Sequence, residues 1–396
     1  MPATPRIAFI SSLALGGSTT FLSNISGELT RRKIPVIIVS PEKENAFASD
    51  FEKAGTRVFL HDNRRLIYED RLHAILGILA EFQPTTVVGC LGRATYEVLR
   101  YVPSGVRRVT MIQADAPIFY DAAAPFSGCM DDIVGVSKKI TDRLETMAAF
   151  NAVTRHYLPY GVAMPETFTP RETGGRPLRI LYLGRIIDEQ KRVCLFPKIL
   201  AVLKKAGLPF QWTIAGDGNQ RAKLERLMAS DLPEQRVLFP GPLPNAQVPA
   251  LLEKHDIFLL ASDAEGLPLS LLEAMGHGLV PVISDLESGV REVVDAGNGM
   301  LVPVDDVEGY ARAIIHLHEH RTELAAKSAA ARARVRQKFS VEAMANRWLA
   351  AFPQNTPVVG AWPATWNIKP PLGVPHPFYY SAPLRVIRRL AAKLRR

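Results

Sequence analysis

The chain has 396 residues, 47% of them hydrophobic and 22% charged, a globular composition long enough for two domains. Its net charge is +9, but the segment from Pro353 to Arg396 holds no acidic residue and carries +7 of it, so the body is close to neutral and no basic surface for nucleic acid spreads over the fold. Cys90, Cys129 and Cys194 are far apart and odd in number, which argues against a disulfide framework or a zinc site, and no run of eighteen uncharged apolar residues offers a membrane span.

The first residues, MPATPRIAFISSLALGG, resemble a secretion signal only superficially. The apolar run is short, is broken by Ser11 and Ser12, and reads as a strand and glycine loop, so a cytoplasmic chain is expected. RIAFISS, PVIIVS, TRVFL, TTVVGC and DIVGV are strand candidates separated by helical stretches, the pattern of a parallel sheet covered on both faces. Asp131-Asp132 reads as a turn. PRETGGRP, from Pro170 to Pro177, reads as a linker. The alternation then restarts with RILYLG, FQWTIAG, RVLFPG, DIFLLAS, VPVIS and GMLVP. From Tyr310 to Phe352 the pattern is helical, with one break near Phe339 and Ser340. His316, His318 and His320 alternate in HLHEH, a spacing that does not share one helix face, so no metal site is expected there.

The segment Ser262–Val294 carries the most chemistry. Glu265 and Glu273 are separated by seven residues, with Glu265 in a strand-end loop, Pro268 opening a helix, and Glu273 at least a turn inside it. Strand ends and helix starts of a doubly wound sheet face its ligand crevice. Backbone N–H groups around Gly266, Leu267, Leu269 and Ser270 are placed for anionic or hydroxyl-rich groups, and the two carboxylates for a sugar and a ribose. Upstream, LYLGRIIDEQKR sets Gly184, Arg185 and Lys191 in another strand-end loop. Fixed cations there can stabilise negative charge on a bound ligand. A third loop, ALGGSTTF, places Gly16 and Gly17 at a helix start.

The ordered set Glu265, Gly266, Glu273, Ala274, Met275, Gly278, Pro281, Val282, Gly289 and Glu292 resembles the signature of the family-4 retaining glycosyltransferases of GT-B fold (glycosyl transferases group 1). The resemblance implies an α/β chain of two facing Rossmann-like domains with parallel sheets, followed here by a basic Pro/aromatic-rich C-terminal tail. It implies an acceptor-binding domain over 1–170, a nucleotide-sugar-binding domain over 178–338, a terminal helix over 339–352 returning to the first domain, and the tail over 353–396. The implied activity is metal-independent transfer of a sugar from a nucleotide-sugar donor to an acceptor hydroxyl of a glycan or glycolipid, with retention and without a cofactor. Arg185 and Lys191 are expected to hold the diphosphate, Glu265 the donor sugar, and Glu273 the ribose. Gly16, Gly17, Gly184 and Gly216 are expected to border the donor, with Gly216 in a glycine turn near the base.

Two departures stand out. Where many members carry a His, in VTMIQADAP, this chain has Gln113 and then Asp115, which become the candidates for orienting the acceptor or sugar. Pro268 replaces a Gly and removes one N–H donor. A sugar-nucleotide epimerase of the same fold and a non-catalytic nucleotide-sugar-binding scaffold are the rival readings.

The tail holds eight of the thirty prolines and ends in PLRVIRRLAAKLRR, where a helix sets Leu384, Ile387, Leu390, Ala391 and Leu394 opposite the arginines. Three expectations follow for it: contact with an anionic membrane on its inner face, docking on the first domain, or binding an anionic acceptor.

Overall fold

The computed structural model describes residues 5–13, 16–40, 48–60, 67–90, 92–168, 174, 176–352, 362–372 and 388. The chain divides into two compact units, Met1–Pro159 with Met344–Arg396, and Tyr160–Ala343.

In the first unit β1 (Ile7–Ile10), α1 (Gly17–Arg31), β2 (Val36–Ser40), α2 (Ala48–Lys53), β3 (Arg57–Leu60), α3 (Tyr68–Phe82) and β4 (Thr86–Cys90) alternate. They are followed by α4 (Arg93–Leu99), β5 (Arg107–Ile112), α5 (Pro117–Ala123), β6 (Asp132–Gly135), α6 (Lys138–Thr146) and β7 (Thr154–Tyr157). The described strands form one parallel sheet in the order β3-β2-β1-β4-β5-β6-β7. β1, β2 and β4 are buried along their whole length, as apolar strands covered by helices on both faces must be. Strand order reverses at β1, so the loops after β1 and β4 diverge and open a crevice at the carboxyl edge.

β5 and β7 are not among the strand candidates, and Asp131-Asp132 does not form the expected turn. Those aspartates lead into β6 rather than a turn. Arg107 donates to Asp132 at 2.6 and 2.8 Å, Arg108 to Asp131 at 2.6 and 3.1 Å, and His156 of β7 lies 2.7 Å from Asp132. Burial opposes ionisation of Asp132, yet the Arg107 and His156 bonds hold its carboxyl below the usual range. Cross-strand bonds to Arg107 and His156 therefore pay for burying Asp132 in the sheet, while Asp131 pairs with Arg108 at a partly exposed position.

The second unit runs β8 (Leu178–Leu183), α7 (Phe196–Lys205), β9 (Phe210–Ala215), α8 (Arg221–Leu227), β10 (Val237–Gly241), α9 (Val248–Glu253) and β11 (Ile257–Leu260). α10 (Leu269–Gly276), β12 (Val280–Ser284), α11 (Gly289–Val293), β13 (Met300–Val302), α12 (Val307–Glu319) and α13 (Arg321–Lys338) complete it. Its described strands are parallel in the order β10-β9-β8-β11-β12-β13, with the reversal at β8. A second break in the terminal helices, at His320, separates α12 from α13. α12 starts where Asp306 accepts the Gly309 N–H at 2.8 Å.

α14 (Val341–Ala351) carries the chain back: from Met344 onward it belongs to the first unit. Trp348, only 1% exposed, packs its ring against Phe9 and Phe21 at 5.7 and 5.9 Å and against Phe352 at 5.5 Å. The described part of the tail lies on α3 and α4. Arg100 donates to the Pro370 carbonyl at 3.0 Å, the Leu372 N–H meets Glu97 at 3.4 Å, Arg93 donates to the Leu372 carbonyl, and Trp366 meets His73 edge-on. Of the expected final helix only Arg388 falls among the described residues. It is buried rather than on a solvated face, and it donates to both Glu69 oxygens at 3.0 and 2.6 Å. A bidentate bond to a buried carboxylate is a stronger hold on a guanidinium than the helix periodicity anticipates.

Two stability predictions follow from these contacts. Trp348→Ala empties a buried aromatic site and is expected to destabilise the first unit by about 3–5 kcal/mol, read by urea unfolding followed with far-ultraviolet circular dichroism. Arg388→Ala strips Glu69 of its bidentate partner, with an expected loss of about 3–5 kcal/mol, whereas the double variant Glu69→Leu/Arg388→Met recovers most of it in the same assay.

Candidate functional site

The reversal at β8 sets two loops side by side at the carboxyl edge of the second sheet, one after β8 and one after β11. The first carries Gly184, Arg185 and Lys191, the second Ser262 to Leu267. Lys191 Nζ lies 2.5 Å from Glu265 Oε1, with both side chains largely buried, and Ser262 Oγ donates to the same oxygen at 2.6 Å. Arg185 does not pair with a neighbouring acid: its Nη2 donates to Gln190 Oε1 at 2.8 Å. Gln190 in turn donates to the Ala264 carbonyl at 2.9 Å and accepts the Asp263 N–H on its own carbonyl at 3.0 Å. Gln190 thus staples the cationic loop to the loop bearing Glu265. Neither Ser262 nor Gln190 is singled out by the sequence motif: Ser262 bonds Glu265 only three residues away, while the partner of Gln190 lies 74 residues off.

Pro268 is the N-cap of α10, and no side chain caps that helix, so its first N–H groups are left for other acceptors. Leu267 and Leu269 bury their side chains, so backbone is what they present at this edge. Glu273, in the second turn of α10, is held in a crowded environment that pushes its carboxyl up to about 7. Its ionised form therefore lacks adequate solvation and is disposed to accept hydrogen bonds from a ligand.

Two glycines hold this edge by close packing. A Cβ on Gly216, at φ +135°, would stand 1.9 Å from the Gly184 carbonyl oxygen, so the glycine turn is pressed against the cationic loop rather than left open on that side. A Cβ on Gly289 would meet the Gly266 oxygen at 2.6 Å, the same oxygen that accepts the Gly289 N–H at 2.8 Å.

In the first unit Gly16 caps α1, Gly17 begins it, and no side chain caps the helix. Ser18, which the motif reading passes over, donates to Gln113 Oε1 at 2.7 Å and ties this start to the end of β5. Asp115 follows Gln113 and is surrounded by donors: Tyr120 at 2.9 Å, Arg143 at 3.0 Å and Lys139 at 3.2 Å. Burial opposes its ionisation, but the Tyr120, Lys139 and Arg143 bonds keep its carboxyl below the usual range. The structure thus joins Arg185, Lys191 and Glu265 in one network of the second unit, while Gly16, Gly17, Gln113 and Asp115 form a separate set in the first.

The histidine triplet is not arranged as the alternate spacing alone suggests. His316 and His320, one turn apart, stack with ring centroids 4.2 Å apart, and His316 bonds Glu323 at 2.8 Å, while His318 turns to Arg321. Among the described residues no three potential ligand side chains gather as a metal site.

Residues 177–320 match the family model described as glycosyl transferases group 1. The amylovoran biosynthesis glycosyltransferase AmsK of Erwinia amylovora is 34% identical over 185 residues, 44% of this chain and 45% of AmsK. The chain spans about half the length of the curated relatives it matches. Among solved structures, S. aureus TarM in complex with Fondaparinux, alpha-GlcNAc-glycerol and UDP has a TM-score of 0.71 at 14% identity, covering 88% of this chain and 100% of TarM. Anabaena HepE in complex with UDP-glucose has a TM-score of 0.69 at 17% identity, covering 87% of this chain and 98% of HepE. Residues 177–320 are thus similar to the glycosyl transferases group 1, and the fold of the chain is GT-B.

Proposed function

We propose that the chain is a retaining glycosyltransferase that moves a sugar from a nucleotide-sugar donor to an acceptor hydroxyl, in the assembly of a cell-envelope polysaccharide. The observation that carries the reading is the Arg185–Gln190–Lys191–Glu265 network at the switch point of the second sheet. Cations and carboxylates together at that edge suit a ligand with a diphosphate at one end and hydroxyls at the other. The matched relatives support it: AmsK is named for polysaccharide biosynthesis, and TarM and HepE are solved with UDP or UDP-glucose.

In this reading the donor diphosphate takes Lys191 from Glu265 and adds Arg185, and the freed Glu265 carboxylate turns to the donor sugar. Glu273 accepts hydrogen bonds from the ribose diol. The bond from the anomeric carbon to the phosphate oxygen breaks, and charge grows on the diphosphate, where Arg185 and Lys191 stabilise it. The acceptor oxygen bonds the anomeric carbon on the same face, and its proton passes to the departing phosphate oxygen. Two fixed cations supply the charge that a divalent ion would otherwise bring, which is why a metal-independent reaction is proposed. The first unit would hold the acceptor.

The direct test is a thermal-shift screen of UDP-, GDP-, ADP- and dTDP-sugars without added metal. One nucleotide class at one hundred times its Kd is expected to add about 2.7 kcal/mol of stability, and Lys191→Ala to abolish the shift. Folded protein that responds to none of the four classes would remove the transferase reading.

The raised Glu273 carboxyl gives a pH signature. Ribose hydroxyls donate to the ionised form, so binding lowers its pKa and releases a proton. Affinity for the nucleotide sugar, whose own diphosphate does not titrate here, is expected to weaken by up to about tenfold per pH unit below 7. Stability of the unliganded protein runs the other way. A carboxyl raised above its unfolded value of 4.5 favours the folded state at low pH, and that contribution is lost as pH rises through about 7. Calorimetric titrations from pH 6 to 8 should show this slope in the wild type and a flat line in Glu273→Gln. A flat wild-type profile would separate Glu273 from the ribose.

A further inference from the structure

Two residues near the donor loop hold left-handed backbone without being glycine. Arg192, immediately after Lys191, sits at φ 51° and ψ 35°, and Asp305, in the turn between β13 and α12, at φ 65°. Their side chains meet across 113 positions of sequence: Arg192 Nε and Nη2 donate to the two Asp305 oxygens at 3.0 and 2.6 Å. Arg192 Nε is also 3.8 Å from Asp263, two residues before Glu265. One guanidinium fork thus stands behind both loops that supply the Lys191–Glu265 pair.

The pair is partly exposed, and exposed ion pairs add little to stability unless their geometry restrains something. What it restrains here is the conformation of Arg192. An L-residue left to itself leaves the left-handed region for helical or extended geometry. Such a change at Arg192 would redirect the chain at Lys191, because the segment after it is fixed: Cys194 N–H bonds Asp188 Oδ1 at 2.9 Å, and Leu195 N–H bonds the Arg192 carbonyl at 3.0 Å. We propose that Arg192 and Asp305 are positioning residues for the donor diphosphate: their ion pair locks Arg192 in its left-handed conformation and thereby aims the Lys191 ammonium. The proposal deepens the donor-site reading of the preceding section and rests on it.

The lock makes an unusual prediction about side-chain size. Arg192→Ala removes the ion pair but keeps the steric bias against left-handed backbone, whereas Arg192→Gly removes both. Glycine should therefore function better than alanine. In calorimetric titrations of the full chain with UDP, Arg192→Ala is expected to bind about tenfold or more weaker than wild type and Arg192→Gly within about threefold of it. Asp305→Ala should weaken UDP binding alongside Arg192→Ala, and uridine, which has no phosphates, should bind all variants alike. Thermal unfolding without ligand should place Arg192→Gly at or above Arg192→Ala. Equal losses in the Gly and Ala variants would overturn the proposal by putting the guanidinium charge itself on the phosphates. Wild-type affinity in both would overturn it by removing any role. A wild-type chain that binds no nucleoside diphosphate of any base overturns the donor-site reading and this proposal together, an outcome distinct from binding that the variants leave unchanged.

Discussion

The bond between Lys191 and Glu265 is the interaction on which the carboxyl edge of the second sheet depends. Both side chains are mostly out of solvent, so each charge is tolerable only because the other is present. Ser262 adds a second donor to the same carboxylate oxygen, and the Gln190 amide fixes the distance between the two loops. The pair exists because β8 and β11 are neighbours in space although 74 residues of sequence separate the two charges. Sheet order is thus the first cause and the ion pair its consequence. The glycine contacts are a further consequence, since backbones drawn this close leave no room for a Cβ at Gly216 or Gly289.

The first unit rests on a different balance. Its apolar core is completed by α14, a helix from the far end of the chain, through Trp348 on Phe9 and Phe21. The segment 362–372 then continues along α3 and α4 by bonds to backbone carbonyls and to the buried Glu97. Glu69 and Arg388 show how that arrangement spends the tail's charge. An arginine that periodicity assigns to an exposed face is instead consumed by a buried carboxylate. Of the expectations for the tail, docking on the first unit describes the placement of these residues.

Much of the fold was legible in the sequence because parallel sheets announce themselves locally. Short apolar runs, glycine loops and amphipathic stretches recur in order, and each of the six described strands of the second unit overlaps one of the apolar runs read from it. β5 and β7 were harder to read because charged residues in RRVTMI and TRHY mask the apolar pattern, and the partners of Arg107, Arg108 and His156 lie across the sheet. The same reason hides the bonds that build the candidate site. The glutamate spacing is local and visible. Ser18 with Gln113, Gln190 with Ala264, and Arg192 with Asp305 are each joined over more than seventy residues, and no periodicity encodes them. Left-handed backbone at an arginine is likewise invisible in a sequence, where glycine is the expected marker.

The electrostatics of the two units bear on where a proton goes in the proposed reaction. At the end of β5, Gln113 has no proton to exchange near neutral pH, and Asp115 is kept ionised by Tyr120, Lys139 and Arg143, which makes it a weak base. Glu273 has a carboxyl near 7, but the proposed ribose contact occupies it as an acceptor. The developing diphosphate is the remaining basic group in that scheme, and it gains basicity as the glycosyl bond breaks. Arg185 and Lys191 then have opposing tasks. They must hold enough of the growing charge to lower the barrier, yet leave one phosphate oxygen able to take the acceptor proton. In that scheme a lysine released by Glu265 suits the balance, because it meets phosphate as a single point charge and leaves uncovered the oxygens that a bidentate guanidinium fork would take. The ion pair that stabilises the unliganded edge is thereby exchanged for one between Lys191 and the donor, and that exchange is what releases the Glu265 carboxylate to the sugar.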